Sequence, residues 1–230
     1  MRLDRFLANQ PCYNRQHVRL LLAQQRVRVD HRVTTDPVAQ VSQFSRVEVD
    51  ELLLQGGRPP RYLMLHKPSG CVSATHDPQH PTVLDLLPDE LRDDLHIAGR
   101  LDFNTTGLMI LTNDGQWSRR LTQPSTKLPK HYLVDTEDDI GAHYVARFQE
   151  GFYFAFEDLT TQPAQLDILG PRRARLAIVE GRYHQVKRMF GHFDNKVIGL
   201  HRERMGTIRL DPALQPGQFR ALTAEEIASV

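Results

Sequence analysis

The apolar positions change rhythm several times along the chain, and each change marks a different kind of element. Leu3, Phe6 and Leu7 recur at helical spacing, and Pro11 closes that segment. Asn14 is placed to cap a second helix over 15–24, with Val18, Leu21 and Leu22 on its apolar face and Arg15, His17 and Arg19 on the outer one. Residues 26–29 (RVRV) and Val33 read as a short hairpin, and Ser45–Val49 alternates like a strand. The stretch Gln55-Gly-Gly-Arg-Pro-Pro60 then interrupts all periodicity. Gly-Gly loosens the backbone and Pro-Pro stiffens it, so 55–61 is expected to link a unit 1–54 to a unit 62–230.

Beyond the linker, strand patterns fall at 62–65, 108–111, 132–134, 152–156, 165–169, 175–179, 197–200 and 208–210. Helical patterns fall at 82–94, 116–121, 140–150, 184–191 and 223–228. Ile140, Tyr144, Val145 and Phe148 share one helix side with Gly151 as its stop, and Thr223 with Glu226 forms a capping box. Strands and helices do not alternate strictly. That predicts an α+β fold with a mixed, mainly antiparallel sheet rather than a doubly wound parallel one.

Composition narrows the class. No apolar run approaches the roughly 18 residues that span a bilayer, and the charged start MRLDRFLANQ lacks the apolar core of a secretory signal. Cys12 and Cys71 are the only cysteines, too few for a disulfide scaffold. A cytoplasmic protein with free thiols and no membrane association is expected. Nothing in the pattern asks for an obligate oligomer, so a monomer is expected.

The net charge of +1 hides a segregation. Residues 172–209 carry ten Lys and Arg against three acids, whereas 135–167 carry eight acids against Arg147 alone. Either the basic segment is open to a polyanion, or the two segments are surfaces of opposite sign that face each other.

The densest run of polar chemistry is Gly99-Arg-Leu-Asp-Phe-Asn-Thr-Thr-Gly-Leu-Met-Ile-Leu-Thr-Asn-Asp-Gly115. A loop presents Asp102 just ahead of an apolar strand, beside Arg100, which can hold the loop or a phosphate. Taken alone, an acid in a loop is more often a turn former than a catalyst. No His pair at helical spacing and no Cys partner points to a metal, and Gly56-Gly57 lacks the spacing of a phosphate-cradling loop.

Taken as a whole, this run resembles the GRLDxxTxGL signature of the RsuA/RluB branch of pseudouridine synthases. Leu65-His-Lys-Pro-Ser-Gly70 is similar to that family's NKPxG element, with His66 where Asn is usual. Lys130-His-Tyr-Leu-Val134 resembles its KxYxV element, and 180–189 (EGRYHQVKRM) resembles its EGRxxQVKRM element. Residues 1–54 resemble the S4 RNA-binding fold, except that the hairpin turn reads Asp30-His31 where that fold usually has Gly or Asn. The closing 216–222 (PGQFRAL) fits as well, so the resemblance spans essentially the whole chain. The runs GRYHQVKRMF and LHRERMG place it nearest the subgroup that acts on small-subunit RNA.

The resemblance implies an S4-like RNA-binding domain followed by a pseudouridine synthase domain. It implies isomerisation of a uridine in small-subunit ribosomal RNA, either free or in an assembling particle, with no cofactor because no redox change occurs. It assigns catalysis to Asp102, as nucleophile or as base at the sugar, with Tyr132 at the base and Lys187 paired to the carboxylate. Arg100, Arg182, His184, Gln185, Arg188, Arg15 and Arg19 are expected RNA contacts. The bland alternatives are a half-buried strand tyrosine at 132 and a solvated basic helix at 184–191. Two other functions remain open: a noncatalytic S4-type RNA-binding or ribosome-assembly factor, and a hydrolase that would release free uracil.

Overall fold

The computed structural model describes residues 1–230, which separate into two compact units, Met1–Pro60 and Arg61–Val230. In the first, α1 (Leu3–Ala8) and α2 (Arg15–Ala23) pack over a four-stranded sheet of β1 (Val27–Val29), β2 (Arg32–Val33), β3 (Val47–Val49) and β4 (Leu52–Gln55), in the order β2-β1-β3-β4. Leu3, Leu7, Val18, Leu21 and Leu22 meet Val27, Val47 and Val49 in its core. The Asn14 side chain accepts the His17 N–H at 2.8 Å, as a cap should. At the β1–β2 turn, Asp30 and His31 both take positive φ (49° and 67°), the pairing a two-residue hairpin needs. Asp30 tolerates that backbone, and its carboxylate also accepts the Arg46 N–H at 2.7 Å, so the turn keeps its geometry without Gly or Asn.

The stretch read as a linker is less free than its composition implies. Its first residue, Gln55, ends β4 and donates to the carbonyls of Ser42 and Ser45. The Arg58 N–H donates to Gln43, so the chain stays bound to the first unit almost to Pro60.

The second unit is built on one large sheet. Its strands are β5 (Tyr62–Lys67), β6 (His96–Ile97), β7 (Thr106–Thr112), β8 (Lys130–Thr136), β11 (Gln165–Gly170), β12 (Arg173–Ile178), β13 (Val197–Met205), β14 (Ile208–Arg209) and β15 (Phe219–Ala221). A separate two-residue hairpin pairs β9 (Tyr153–Phe154) with β10 (Leu159–Thr160). The helices are α3 (Asp89–Arg92), α4 (Gly115–Thr122), α5 (His143–Glu150), α6 (Gln185–Gly191) and α7 (Ala224–Ala228). The main order is β11-β12-β8-β13-β7-β5-β15, antiparallel throughout except where β13 runs parallel to β7.

Around β7 both faces of this sheet are buried, which explains why Leu108–Leu111 is apolar at every position, whereas β12 alternates buried and exposed residues. Met109 and Leu111 join Tyr144, Phe148 and Phe190 on one side, and Leu108 and Ile110 join Trp117 and Leu121 on the other. The first side is rich in aromatic contacts. Phe148 lies 5.0 Å from Phe190, and Tyr144 stacks on Phe193 at 3.7 Å, which seats α6 against the sheet.

Two expectations need correction, and the charged segments follow the facing reading in part. The helix expected over 82–94 is a 3-10 turn at Leu84–Leu86 and a single turn at α3, because Pro88 breaks the run and the Asp85 carboxylate binds Thr82 instead. The strand expected over 152–156 stops at Phe154, and Phe156 sits 96% exposed in the turn. The basic segment is not one open face. Arg173 pairs with Asp135 across β12 and β8, Arg172 with Asp139 and Arg188 with Glu157, so part of each charged segment neutralises the other.

The parallel contact sets a strict steric condition. Gly107 has φ +108°, and a Cβ there would lie 2.3 Å from the Arg202 carbonyl oxygen. Gly107→Ala is expected to destabilise the second unit by about 2–4 kcal/mol, read as a lower urea midpoint. An unchanged midpoint would mean that β7 and β13 do not approach this closely.

Candidate active site

The segment 99–105 leads directly into the interior strand β7 and carries Asp102. It is bound almost residue by residue. Lys67, fully buried at the end of β5, donates from Nζ to the carbonyls of Pro68 (3.0 Å), Phe103 (3.1 Å) and Thr105 (2.9 Å). Three acceptors require three N–H donors, which is the ammonium form. Burial nevertheless pulls the lysine below its ordinary pKa, against the opposing pull of Cys71 and Asp102.

Arg202, 1% exposed on β13, supplies the other side. Its guanidinium donates to the carbonyls of Leu108 (2.8 Å), Gly99 (3.0 Å) and Arg100 (3.3 Å). Between them, the Ser73 hydroxyl donates to the Leu101 carbonyl at 2.6 Å and accepts the Leu101 N–H at 3.0 Å. Two buried cations and one hydroxyl thus fix the loop through its backbone, which leaves the Asp102 side chain free for other work.

Asp102 lies on a cavity of about 610 Å³ that Tyr132 and Lys187 also line. Its carboxylate, 29% exposed, has Lys187 Nζ at 3.4 Å from one oxygen and His184 Nε2 at 3.6 Å from the other. Tyr132 comes from the middle of β8 and is 7% exposed. Lys187 reaches the cavity because Val186, Met189 and Phe190 bury the opposite side of α6. Lys130, two residues before Tyr132, also lines the cavity. Burial and the nearby Arg202 lower its pKa.

The expected RNA contacts divide. Arg100 is exposed at the cavity, and Arg15 and Arg19 are exposed on α2. Arg182 lines the cavity while its guanidinium pairs with Glu180 at 3.0 Å. Two others are already engaged within the chain. Gln185 lines the cavity but is 3% exposed, and both ends of its amide are used, on the Arg182 N–H and on Glu180, so it holds the loop before α6. Arg188 grips Glu157 through both terminal nitrogens and lies 3.6 Å over the Phe154 ring, so it ties α6 to the β9–β10 hairpin.

Sequence reasoning passed over Lys67, Ser73 and Arg202, whose work is to bind backbone. It also passed over Tyr183, 76% exposed beside His184. The signal for Lys67 lay in its place within the HKPSG element, and that for Arg202 in its place within 200–206 (LHRERMG).

Residues 61–192 match the family described as RNA pseudouridylate synthase, and residues 1–47 match the S4 domain. The chain belongs to the pseudouridine synthase family. A ribosomal small subunit pseudouridine synthase A of Pseudomonas aeruginosa is 66% identical over the full length of both chains. The protein of the same name from Escherichia coli K12 is 45% identical, again over the full length of both. A crystal structure of a pseudouridylate synthase superposes with a TM-score of 0.73 at 40% identity, covering 100% of this chain and 99% of the other.

Replacing Lys67 by Met keeps the length and removes the three donors. Lys67→Met is expected to cost about 3 kcal/mol in urea unfolding, because buried carbonyls lose their partners. A midpoint equal to wild type would show that the loop does not depend on this ammonium.

Proposed function

We propose that this protein isomerises a specific uridine to pseudouridine in small-subunit ribosomal RNA, with Asp102 acting at the sugar. The observation that carries the reading is the Asp102 carboxylate on the cavity, between Lys187 and His184 and on the same cavity as Tyr132. The names of the full-length relatives support the choice of small-subunit RNA.

The reaction breaks the C1′–N1 bond, turns the uracil and forms a C1′–C5 bond. N1 gains a proton and C5 loses one, so the nucleotide's composition is unchanged and no redox cofactor is consumed. A carboxylate serves at C1′ as a nucleophile, or at the sugar as a base. In this reading Tyr132, on the same cavity, lies against the uracil and takes part in proton transfer. Lys187 holds the carboxylate from the side. The exposed cations Arg100, Arg15 and Arg19 suit phosphate contacts, which offset the few kcal/mol needed to extrude a base from folded RNA.

The test uses small-subunit RNA labelled with tritium at uridine C5, as transcript and as assembling particle. Wild type is expected to release tritium, and Asp102→Asn to release it slower by on the order of 10³-fold or more while keeping its thermal midpoint. Equal and negligible release by both proteins on both substrates would instead favour a noncatalytic RNA-binding factor, and free uracil would indicate a hydrolase. Pseudouridine mapping in cells lacking the gene is expected to show a single lost site in small-subunit RNA. Losses confined to large-subunit RNA would overturn the substrate.

A further inference from the structure

The most exposed ring on the Asp102 cavity stacks on its neighbour. Tyr183 is 76% exposed, yet its ring stacks on His184 at 3.9 Å with 20° between the planes. The His184 imidazole lies 3.6 Å from Asp102, so ring, imidazole and carboxylate form a short file. The backbone maintains it. His184 takes a left-handed conformation with φ +49°, which sets two successive side chains side by side rather than apart. The neighbouring Arg182 N–H is bound by the Gln185 side chain at 3.0 Å, and Arg188 reaches the Tyr183 carbonyl at 3.4 Å. Phe103, also on this cavity, is less exposed and meets His80 edge-on at 5.3 Å.

An extruded uridine leaves its neighbours in the strand without a stacking partner. A flat ring that costs little entropy to order is the natural replacement. We propose that the outer face of Tyr183 stacks on a nucleobase adjacent to the target uridine, positioning the strand so that the extruded nucleotide reaches Asp102. This rests on the RNA-modifying reading above and adds to it a specific recognition element. Exposed Arg100 on the same cavity supplies a cation for the neighbouring phosphates.

The test is binding, measured without turnover. Fluorescence anisotropy compares two single-stranded RNA heptamers, each with one central uridine. One is flanked by adenosines and the other by abasic nucleotides. The full-length protein is expected to bind the adenosine-flanked heptamer about tenfold more tightly. Tyr183→Phe should keep that preference, and Tyr183→Ala should lose it while keeping the wild-type thermal midpoint. The inference is overturned if Tyr183→Ala keeps the preference, if wild type shows none, or if only Phe103→Ala removes it. Tritium release by wild type is a separate readout. Its absence would sink the proposed reaction, whereas its presence with flank-independent binding would sink only the stacking role.

Discussion

Two buried cations that face carbonyls rather than carboxylates hold the site together. Lys67 and Arg202 donate to six backbone oxygens, four of them in the segment 99–105 that carries Asp102 and one, Leu108, in the strand that follows it. A buried charge is costly unless it is fully bonded, and here the polar groups of an irregular loop supply the bonds. The loop's backbone needs partners, the cations need acceptors, and each answers the other. No acidic side chain is used in the exchange, so the one carboxylate in the loop keeps its oxygens turned to Lys187, His184 and the cavity.

The rest of the second unit serves that arrangement. The sheet, buried on both faces at β7, brings β5 and β13 to either side of that strand. The aromatic cluster of Tyr144, Phe148, Phe190 and Phe193 then fixes α6, and α6 presents Lys187. Charge plays a smaller part than its abundance suggests. Arg172 and Arg173 are spent on exposed pairs that contribute little to stability. The cations available to RNA are therefore fewer than the raw count.

Much of this was legible in the residues. The helical spacing of Val18, Leu21 and Leu22 in α2, its Asn14 cap and the apolar run of β7 each have a local cause, and each was read from it. The motifs likewise placed Asp102, Tyr132 and Lys187 together. What escaped was set by distant partners. Strands β6 and β15, of two or three residues, are too short to show a period and exist because β7 and β5 offer edges. Gln185 and Arg188 are polar residues on a basic helix, and only the positions of Glu180 and Glu157 reveal that both are already engaged. Pro88 broke a helical run whose apolar pattern had outweighed it.

The parallel contact between β7 and β13 also has a consequence for assembly. Arg202 lies about a hundred positions after the carbonyls it binds, and His201 accepts or donates at Thr106 across a similar span. The Asp102 loop is made about a hundred residues before its partners on β13. The loop cannot reach its working shape until β13 has emerged, so ordering of the site and pairing of β7 with β13 are one event.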